Sequence, residues 1–381
     1  MEPSVKLTRQ RTLYLDVVRV IAIISISLNH AVNRCYNNYT NQMAEFLILP
    51  FGSTLFKTVI SVFSRIGVPL FLMITGALVM NKRMDNADDV KKFYRHNFLS
   101  LLITTEIWYF LMFWFQIFTS QSSVFENFGI WGTLARMVET MLFQNQLAFA
   151  SMWYMPMILG IYLTLPFVIM AKDRLVNSGG GKVWYVPLVV LYLVSMVIPA
   201  INNLLHLLGV SHYFDSAITE TYLFPFYYIY IIVGYRIGQG AFSRLKTWVV
   251  ALVAVGTFLF CCGYQLFAYS QKPDYLVSYS SPVIPVCAGA LFELCRRGGE
   301  SFRRWEKPIT YLSKIAFGIY FVHIVIMTGL IYILRRCSMP VLELRPVRVI
   351  FLEVVSVGGS ILIIWLLSKV KIFKKYLFLI K

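Results

Sequence analysis

The residues best suited to chemistry lie inside an apolar stretch, YLDVVRVIAIISISLNH, which runs from Tyr14 to His30. Asp16, Arg19 and His30 place ionisable side chains among Val, Ile, Leu, Ala and Ser. A charge in hydrocarbon is costly, and ionisable groups inside membrane spans usually face cavities and mark substrate pathways. A histidine whose pKa is about 6.5 suits general base catalysis on a hydroxyl group.

The spacing places Arg19 and His30 on one face of a helix. Eleven steps of 100° return to within ~20° of the starting direction, and the 1.5 Å rise separates the two residues by roughly 16 Å. This distance excludes direct contact, so the two residues are expected to have different roles at different depths. Asp16 precedes Arg19 by three residues and predicts an ion pair. That pair could simply hold the helix against its neighbours, and His30 could simply bond a neighbouring helix.

Further candidates are Arg65, Trp153 and Tyr154, predicted at the level of His30, and the pair Tyr320 and His323, predicted at mid-depth on one face of their helix. Arg65, in SRIGVPLFLMITGALVM, could steer an acceptor or stabilise negative charge beside the histidine. Pro69 and Gly76 in the same run predict breaks in its helix. Two aromatic pairs are candidate substrate contacts with a structural alternative: Trp153 with Tyr154 as interface anchors, and Tyr320 with His323, in FGIYFVHIVI, as interhelical hydrogen-bonding groups.

The segment KKFYRHNF gathers Lys91, Lys92 and Arg95 just before an apolar run. These cations could grip a phosphate, or they could be ordinary charge on the cytoplasmic side of a membrane protein. Glu106 is predicted to be a lone buried carboxylate.

The six cysteines show no metal-like spacing, and no metal is predicted. Cys35 and Cys337 fall in segments predicted to lie outside, where a disulfide is possible.

Composition identifies the chain as a polytopic membrane protein. Its 381 residues are 58% hydrophobic and 14% charged, and the mean hydropathy is +0.67. A soluble domain of this size needs more charge on its surface. The net charge of +17 does not indicate nucleic acid here, because Lys and Arg accumulate in the cytoplasmic loops of membrane proteins.

Ten apolar runs are long enough to cross a ~30 Å core as helices. They lie near residues 13–32, 59–81, 98–119, 151–171, 184–205, 219–238, 247–269, 279–295, 309–334 and 348–369. The sequence predicts one all-α transmembrane domain over residues 1–381, and its first apolar run is interpreted as an uncleaved span rather than a signal peptide.

The distribution of Lys and Arg orients this predicted bundle. Segments on the side of the termini carry roughly three times as many as the alternate segments, so both termini are predicted to be cytoplasmic. One outside loop, RRCSMPVLELRPVR from Arg335 to Arg348, is unusually basic. Either a last loop escapes the rule, or this loop attracts an anionic acceptor.

Four motifs together resemble a known family. LDVVRVIAIISISLNH carries Arg19 and His30, and GVPLFLMITGALV, MWYMPMILGIYLTLP and FGIYFVHIVI follow in the order that the family has. The chain resembles the type 3 class of membrane-bound acyltransferases, which acylate surface sugars, and within that class it is similar to the O-acetyltransferase of the enterobacterial common antigen.

The resemblance implies a ten-helix core in the cell membrane that transfers an acyl group, acetyl as the best guess, from cytoplasmic acyl-CoA to a glycan or its lipid-linked precursor. His30 would be the catalytic histidine and Arg19 its partner. Lys92 and Arg95 match the family's basic pair with Lys in place of the first Arg, so acetyl-CoA contact there is less certain.

Two mechanisms are open: direct transfer with His30 as general base, and a covalent acyl-histidine. Two other functions are open as well. Asp16, Arg19, His30, Glu106 and His323 could form the relay of a transporter. The chain could instead be a scaffold subunit of an envelope assembly.

Overall fold

The computed structural model describes residues 4–36, 48–119, 124–143, 152–179, 185–210, 214, 225–271, 276–334 and 343–380. These residues form helices, turns and irregular connections and contain no strand. The α-helices are α1 Ser4–Cys35, α2 Phe51–Ser64, α3 Gly67–Val79, α4 Ala87–Phe93, α5 Leu99–Thr119, α6 Val124–Met141, α7 Tyr154–Asn177, α8 Val186–Tyr192, α9 Ile198–Leu207, α10 Tyr227–Gly238, α11 Thr247–Gln271, α12 Ile284–Arg297, α13 Glu306–Leu334, α14 Arg345–Leu367 and α15 Lys371–Tyr376. A π-helical turn joins α4 to α5, another joins α8 to α9, and a 3₁₀ helix precedes α13.

Eight segments of the described chain are long and apolar enough to cross a membrane. They are Leu13–Cys35, Phe51–Val79, Ala87–Thr119, Tyr154–Asn177, Val186–Leu207, Thr247–Gln271, Gly299–Leu334 and Arg345–Leu367. The prediction of an all-α, multi-pass membrane protein is therefore confirmed at this level.

The remaining two predicted spans are 219–238, of which residues 219–224 lie outside the described part of the chain, and 279–295; the described residues of both form shorter helices. α10 has 12 residues and α12 has 14, against the ~20 that a bilayer crossing needs. Both are embedded in the hydrophobic core, where Tyr230, Ile231 and Phe292 are fully buried. Apolar composition predicts that a segment avoids water, but it does not predict whether the segment crosses the membrane, because segments in the protein core and segments that face lipid are equally apolar. The count of ten and the cytoplasmic termini remain predictions.

α1 lies at the centre of the site-bearing part of the bundle and runs parallel to α13. Asp16 contacts Ser313 near the start of both helices, and His30 lies beside His323 further along both. α2 runs antiparallel to α1, because Ser25 contacts Ser64 whereas Tyr36 contacts Ser53. We name the end where α1 begins the lower end and the end where it finishes the upper end.

The predicted span 59–81 is broken at a different place from the one that its sequence suggests. α2 ends at Ser64 and α3 begins at Gly67, so the break falls at Arg65 and Ile66. Pro69 lies in the first turn of α3, where a helix tolerates proline because the N–H of that residue needs no intrahelical partner. The predicted breaks at Pro69 and Gly76 are therefore wrong.

Glycine allows α3 and α10 to pack backbone against backbone. A Cβ added at Gly76 would overlap the carbonyl group of Ile231, and one added at Gly234 would overlap the backbone of Met73. Small residues permit such close approach between membrane helices. This contact fixes α10 inside the bundle although it is short.

Candidate active site

The lower end of the site is a hydrogen-bonded cluster around Asp16, which α1 and α13 build together. The Arg19 Nη1 atom donates to Asp16 Oδ1 at 3.1 Å and to Ser313 Oγ at 2.6 Å. Ser313 Oγ donates to Asp16 Oδ1 at 2.5 Å, and Thr310 donates to Oδ2 at 3.3 Å. The predicted ion pair between Asp16 and Arg19 is therefore present.

Arg19 is only partly engaged by this cluster. All of its described hydrogen bonds use Nη1, and its side chain is 26% exposed, against 11% for that of Asp16. A guanidinium group has five N–H donors in a planar fork that matches a phosphate or carboxylate. The cluster thus orients Arg19 through one nitrogen and leaves the rest of the fork accessible.

The upper part of the site is a pair of buried histidines, His30 on α1 and His323 on α13. Their ring centroids are 5.4 Å apart and their planes meet at 44°. His323 is fully buried, whereas His30 is 8% exposed. His30 is therefore the less deeply buried member of the pair.

Backbone geometry fixes the tautomer of His323. Its Nδ1 atom lies 2.6 Å from the carbonyl oxygen of Ile319. A carbonyl oxygen only accepts hydrogen bonds, so Nδ1 carries the proton and Nε2 of the neutral ring carries a lone pair. Nε2 is buried and has no hydrogen-bond partner among the described residues. His323 therefore presents an unprotonated ring nitrogen, Nε2, close to the His30 ring.

A chain of aromatic contacts connects this pair to three more predicted residues. Tyr320 lies one helical turn below His323, and its ring is 5.8 Å from that of Tyr154. The Tyr154 ring lies 6.2 Å from Trp153, which in turn lies 5.5 Å from Tyr279. The structure therefore brings Trp153, Tyr154 and Tyr320 together as one wall of the site, and Tyr279 is a member that the sequence did not indicate.

Arg65 completes this wall from the break between α2 and α3. Its guanidinium carbon is 5.3 Å from the centroid of the Tyr279 ring. Ser64 donates to Asn29 at 3.1 Å, which places the break about one turn below His30. The end of α2 at this point therefore places Arg65 near the level of the histidine pair.

Lys91, Lys92 and Arg95 lie apart from this assembly. All three are exposed, on α4 and the π-helical turn that follows it. Lys91 pairs with Asp88 at 3.4 Å, but both side chains are so exposed that the pair contributes little. No described contact connects the three cations to Arg19.

Two carboxylates differ from what the sequence suggested. Glu106 is half-buried rather than enclosed, so its prediction as a lone buried carboxylate is wrong. Sequence reasoning overlooked Glu353, whose carboxyl oxygens are buried beside the Ser27 hydroxyl of α1. The signal was available, since Glu353 is the single ionisable residue in the run VIFLEVVSVGGS. Cys35 is buried, and Cys337, its predicted partner, lies outside the described residues.

The sequence as a whole matches one family. Residues 12–365 match the family model described as "Acyltransferase domain", of the type 3 class. No curated protein matches the chain significantly, and no solved structure does. The match covers every candidate residue named above, from Asp16 to Glu353. This multi-pass membrane protein therefore belongs to the acyltransferase 3 family.

Proposed function

We propose that this protein is an O-acyltransferase of the cell membrane. It takes an acyl group, most simply acetyl, from acyl-CoA at the lower end and delivers it to a hydroxyl group of a surface glycan or its lipid-linked precursor at the upper end. The observation that carries this proposal is the position of two residues on α1. Arg19 lies toward the lower end, and all of its described hydrogen bonds use one nitrogen. His30 lies toward the upper end, beside His323 of α13.

The ten-span topology with cytoplasmic termini belongs to this proposal, because it places Arg19 on the side where acyl-CoA is made. The charged nucleotide of coenzyme A would stay outside the bundle, near Lys91, Lys92 and Arg95. The pantetheine arm would pass Arg19 and bring the thioester toward His30. The roughly 16 Å between Arg19 and His30, from the rise of a helix, is a distance that an extended arm of this kind can bridge.

The transfer step needs one base and one oxyanion partner. His30 accepts the proton of the acceptor hydroxyl while the oxygen forms a bond to the thioester carbonyl carbon. The carbonyl oxygen becomes negative, and Arg65 stabilises it. The C–S bond then breaks, and the thiolate takes the proton from His30. The products are an oxygen ester and free coenzyme A, and no metal is required.

His323 supports His30 in this scheme. The two rings are 5.4 Å apart and the His323 Nε2 atom has no partner among the described residues, so a small rotation would let an N–H of His30 donate to it. That bond would leave the other His30 nitrogen as the base. A covalent acyl-histidine on His30 uses the same residues, with water excluded until the acceptor arrives.

The acceptor would lie against the aromatic wall formed by Trp153, Tyr154, Tyr279 and Tyr320. Tyrosine and tryptophan present an apolar face together with a hydrogen-bonding tip, which suits a sugar ring.

Purified protein incubated with radiolabelled acetyl-CoA and a glycan acceptor provides the test. The proposal predicts release of free thiol that depends on acceptor, together with label in the glycan. Absence of thiol release, with ion or solute movement into vesicles that contain the protein, would favour the transporter instead. Comparison of glycans from cells with and without the gene by NMR would then identify the acyl group.

A further inference from the structure

A cavity lies on the opposite side of α10 from α3. It has a volume of about 690 Å³ and lies between α8, α10, α11 and α12. This volume falls within the range of roughly 300 to 1,000 Å³ found for ligand sites. None of the candidate active-site residues lines it.

One side of the cavity is formed by a membrane helix that is little buried in the protein. In the most apolar part of Val186–Leu207, only 11% of the residues are buried in the protein. In the most apolar part of Leu13–Cys35, which belongs to α1, 67% are buried. The hydroxyl group of Tyr192 donates to the carbonyl of Pro282 at 2.8 Å and ties this helix to the turn before α12. No side chain of the described residues fills the remaining space, and an empty space of this size would forfeit the dispersion contacts of its lining.

The lining is apolar except at its lower end. All but four of the residues are apolar, and Tyr192 is satisfied by the bond to Pro282. Glu293 is also satisfied, since Arg296 and Arg297 donate to both of its oxygens at 2.7 to 2.8 Å. The polar group left for a ligand is therefore Arg236, together with the ring of Tyr185 5.5 Å from its guanidinium carbon.

Arg236 is placed to receive a negative charge. It is exposed, and it forms no ion pair with a described residue. The neighbouring loop adds Arg244 and Lys246, both exposed, on either side of the lining residue Leu245. Basic groups at the mouth of an apolar cleft between membrane helices suit the headgroup of an acidic lipid.

We propose that this cleft binds an acidic glycerophospholipid, with an acyl chain between α8 and α11 and its phosphate on Arg236. The site is independent of the acyl-transfer chemistry. Such a lipid would hold Val186–Leu207 against the bundle. Its acyl chain would make the van der Waals contacts that the described side chains lining the cavity do not make with one another.

Native mass spectrometry of the full chain tests the proposal, with palmitoyl-oleoyl phosphatidylglycerol and the matching phosphatidylcholine as probes. The protein should retain phosphatidylglycerol in preference. Arg236→Gln should reduce that retention about 10- to 150-fold, because a charge-assisted hydrogen bond contributes roughly 1.5 to 3 kcal/mol. Arg174→Gln removes an exposed cation from the same end outside the cleft, and it should change nothing.

A second variant tests the apolar part of the cleft without altering charge. Val286 lines the cavity and is 44% exposed, so Val286→Trp should fill the space and lower phosphatidylglycerol retention. Equal retention by Arg236→Gln and Arg174→Gln would overturn the proposal, and so would equal retention of the two lipids by the unsubstituted protein. If Val286→Trp does not fold, the comparison of Arg236→Gln with its control Arg174→Gln still tests the proposal.

Discussion

At the scale of single residues, the site contains two groups with different proposed roles at different depths. Arg19 is the cation proposed to bind the acyl donor, and His30 is the base proposed to act on the acceptor hydroxyl. Arg19 is oriented by Asp16 and Ser313 through one nitrogen, and the rest of its fork is accessible. His30 is the less deeply buried member of the histidine pair. Helical periodicity alone predicted that Arg19 and His30 share a face, because both lie on one unbroken helix. The partner of His30 could not be predicted, since His323 is 293 positions away and packing brings it there.

Arg19→Gln should weaken the donor side of the reaction. The change removes the charge but keeps a polar side chain of similar length, so KM for acetyl-CoA should rise about tenfold while kcat changes less. Steady-state thiol release at varied acetyl-CoA concentration measures both constants. Arg174→Gln is the control, and an unchanged KM for Arg19→Gln would remove Arg19 from the donor site.

Arg65→Gln should act in the opposite way, on kcat. Loss of one oxyanion-stabilising donor costs about 10²- to 10³-fold in turnover, whereas binding of acetyl-CoA in the ground state should be nearly unaffected. Arg65→Lys keeps the charge and should recover part of the rate. If Arg65→Gln raises KM and leaves kcat intact, Arg65 binds the substrate and has no role in the transfer step.

At the scale of helices, the break between α2 and α3 places Arg65 in the active-site wall, and Tyr230 of the short helix α10 donates a hydrogen bond to the carbonyl of Tyr279. Sequence reasoning found the apolar runs but misplaced the break, because it relied on Pro69 and Gly76. The structure uses Gly76 for helix packing, not for a break. The local sequence indicated that Gly76 has a structural role. That role depends on packing against α10, whose contacting residue lies about 155 positions further along the chain.

Gly76→Ala and Gly234→Ala should therefore destabilise the protein. Each new Cβ would overlap the backbone of the facing helix, and overpacking of this kind costs roughly 1 to 3 kcal/mol. Thermal unfolding of the purified protein in one detergent measures the loss as a lower Tm. Gly256→Ala on α11 is the matched control, because a Cβ there meets nothing within 4 Å. A Tm for Gly76→Ala equal to that of Gly256→Ala would contradict the close contact.

At the scale of the whole molecule, composition was sufficient to predict a multi-pass helical membrane protein. Membrane burial is an average property of a long apolar run, so it can be read without any tertiary contact. The sequence did not show which runs are short core helices, or that Val186–Leu207 stands away from the rest. Those features depend on how helices from distant parts of the chain share one core.

The central claim is that His30 performs the transfer while the donor is held elsewhere, and one variant tests it most directly. His30→Ala should bind acetyl-CoA as the unsubstituted protein does, measured by equilibrium binding to the purified protein. The same preparation should lose acyl transfer to the glycan by about 10²- to 10⁴-fold, the usual contribution of a general base. Full transfer activity in His30→Ala would contradict the account, and so would loss of acetyl-CoA binding at an unchanged Tm.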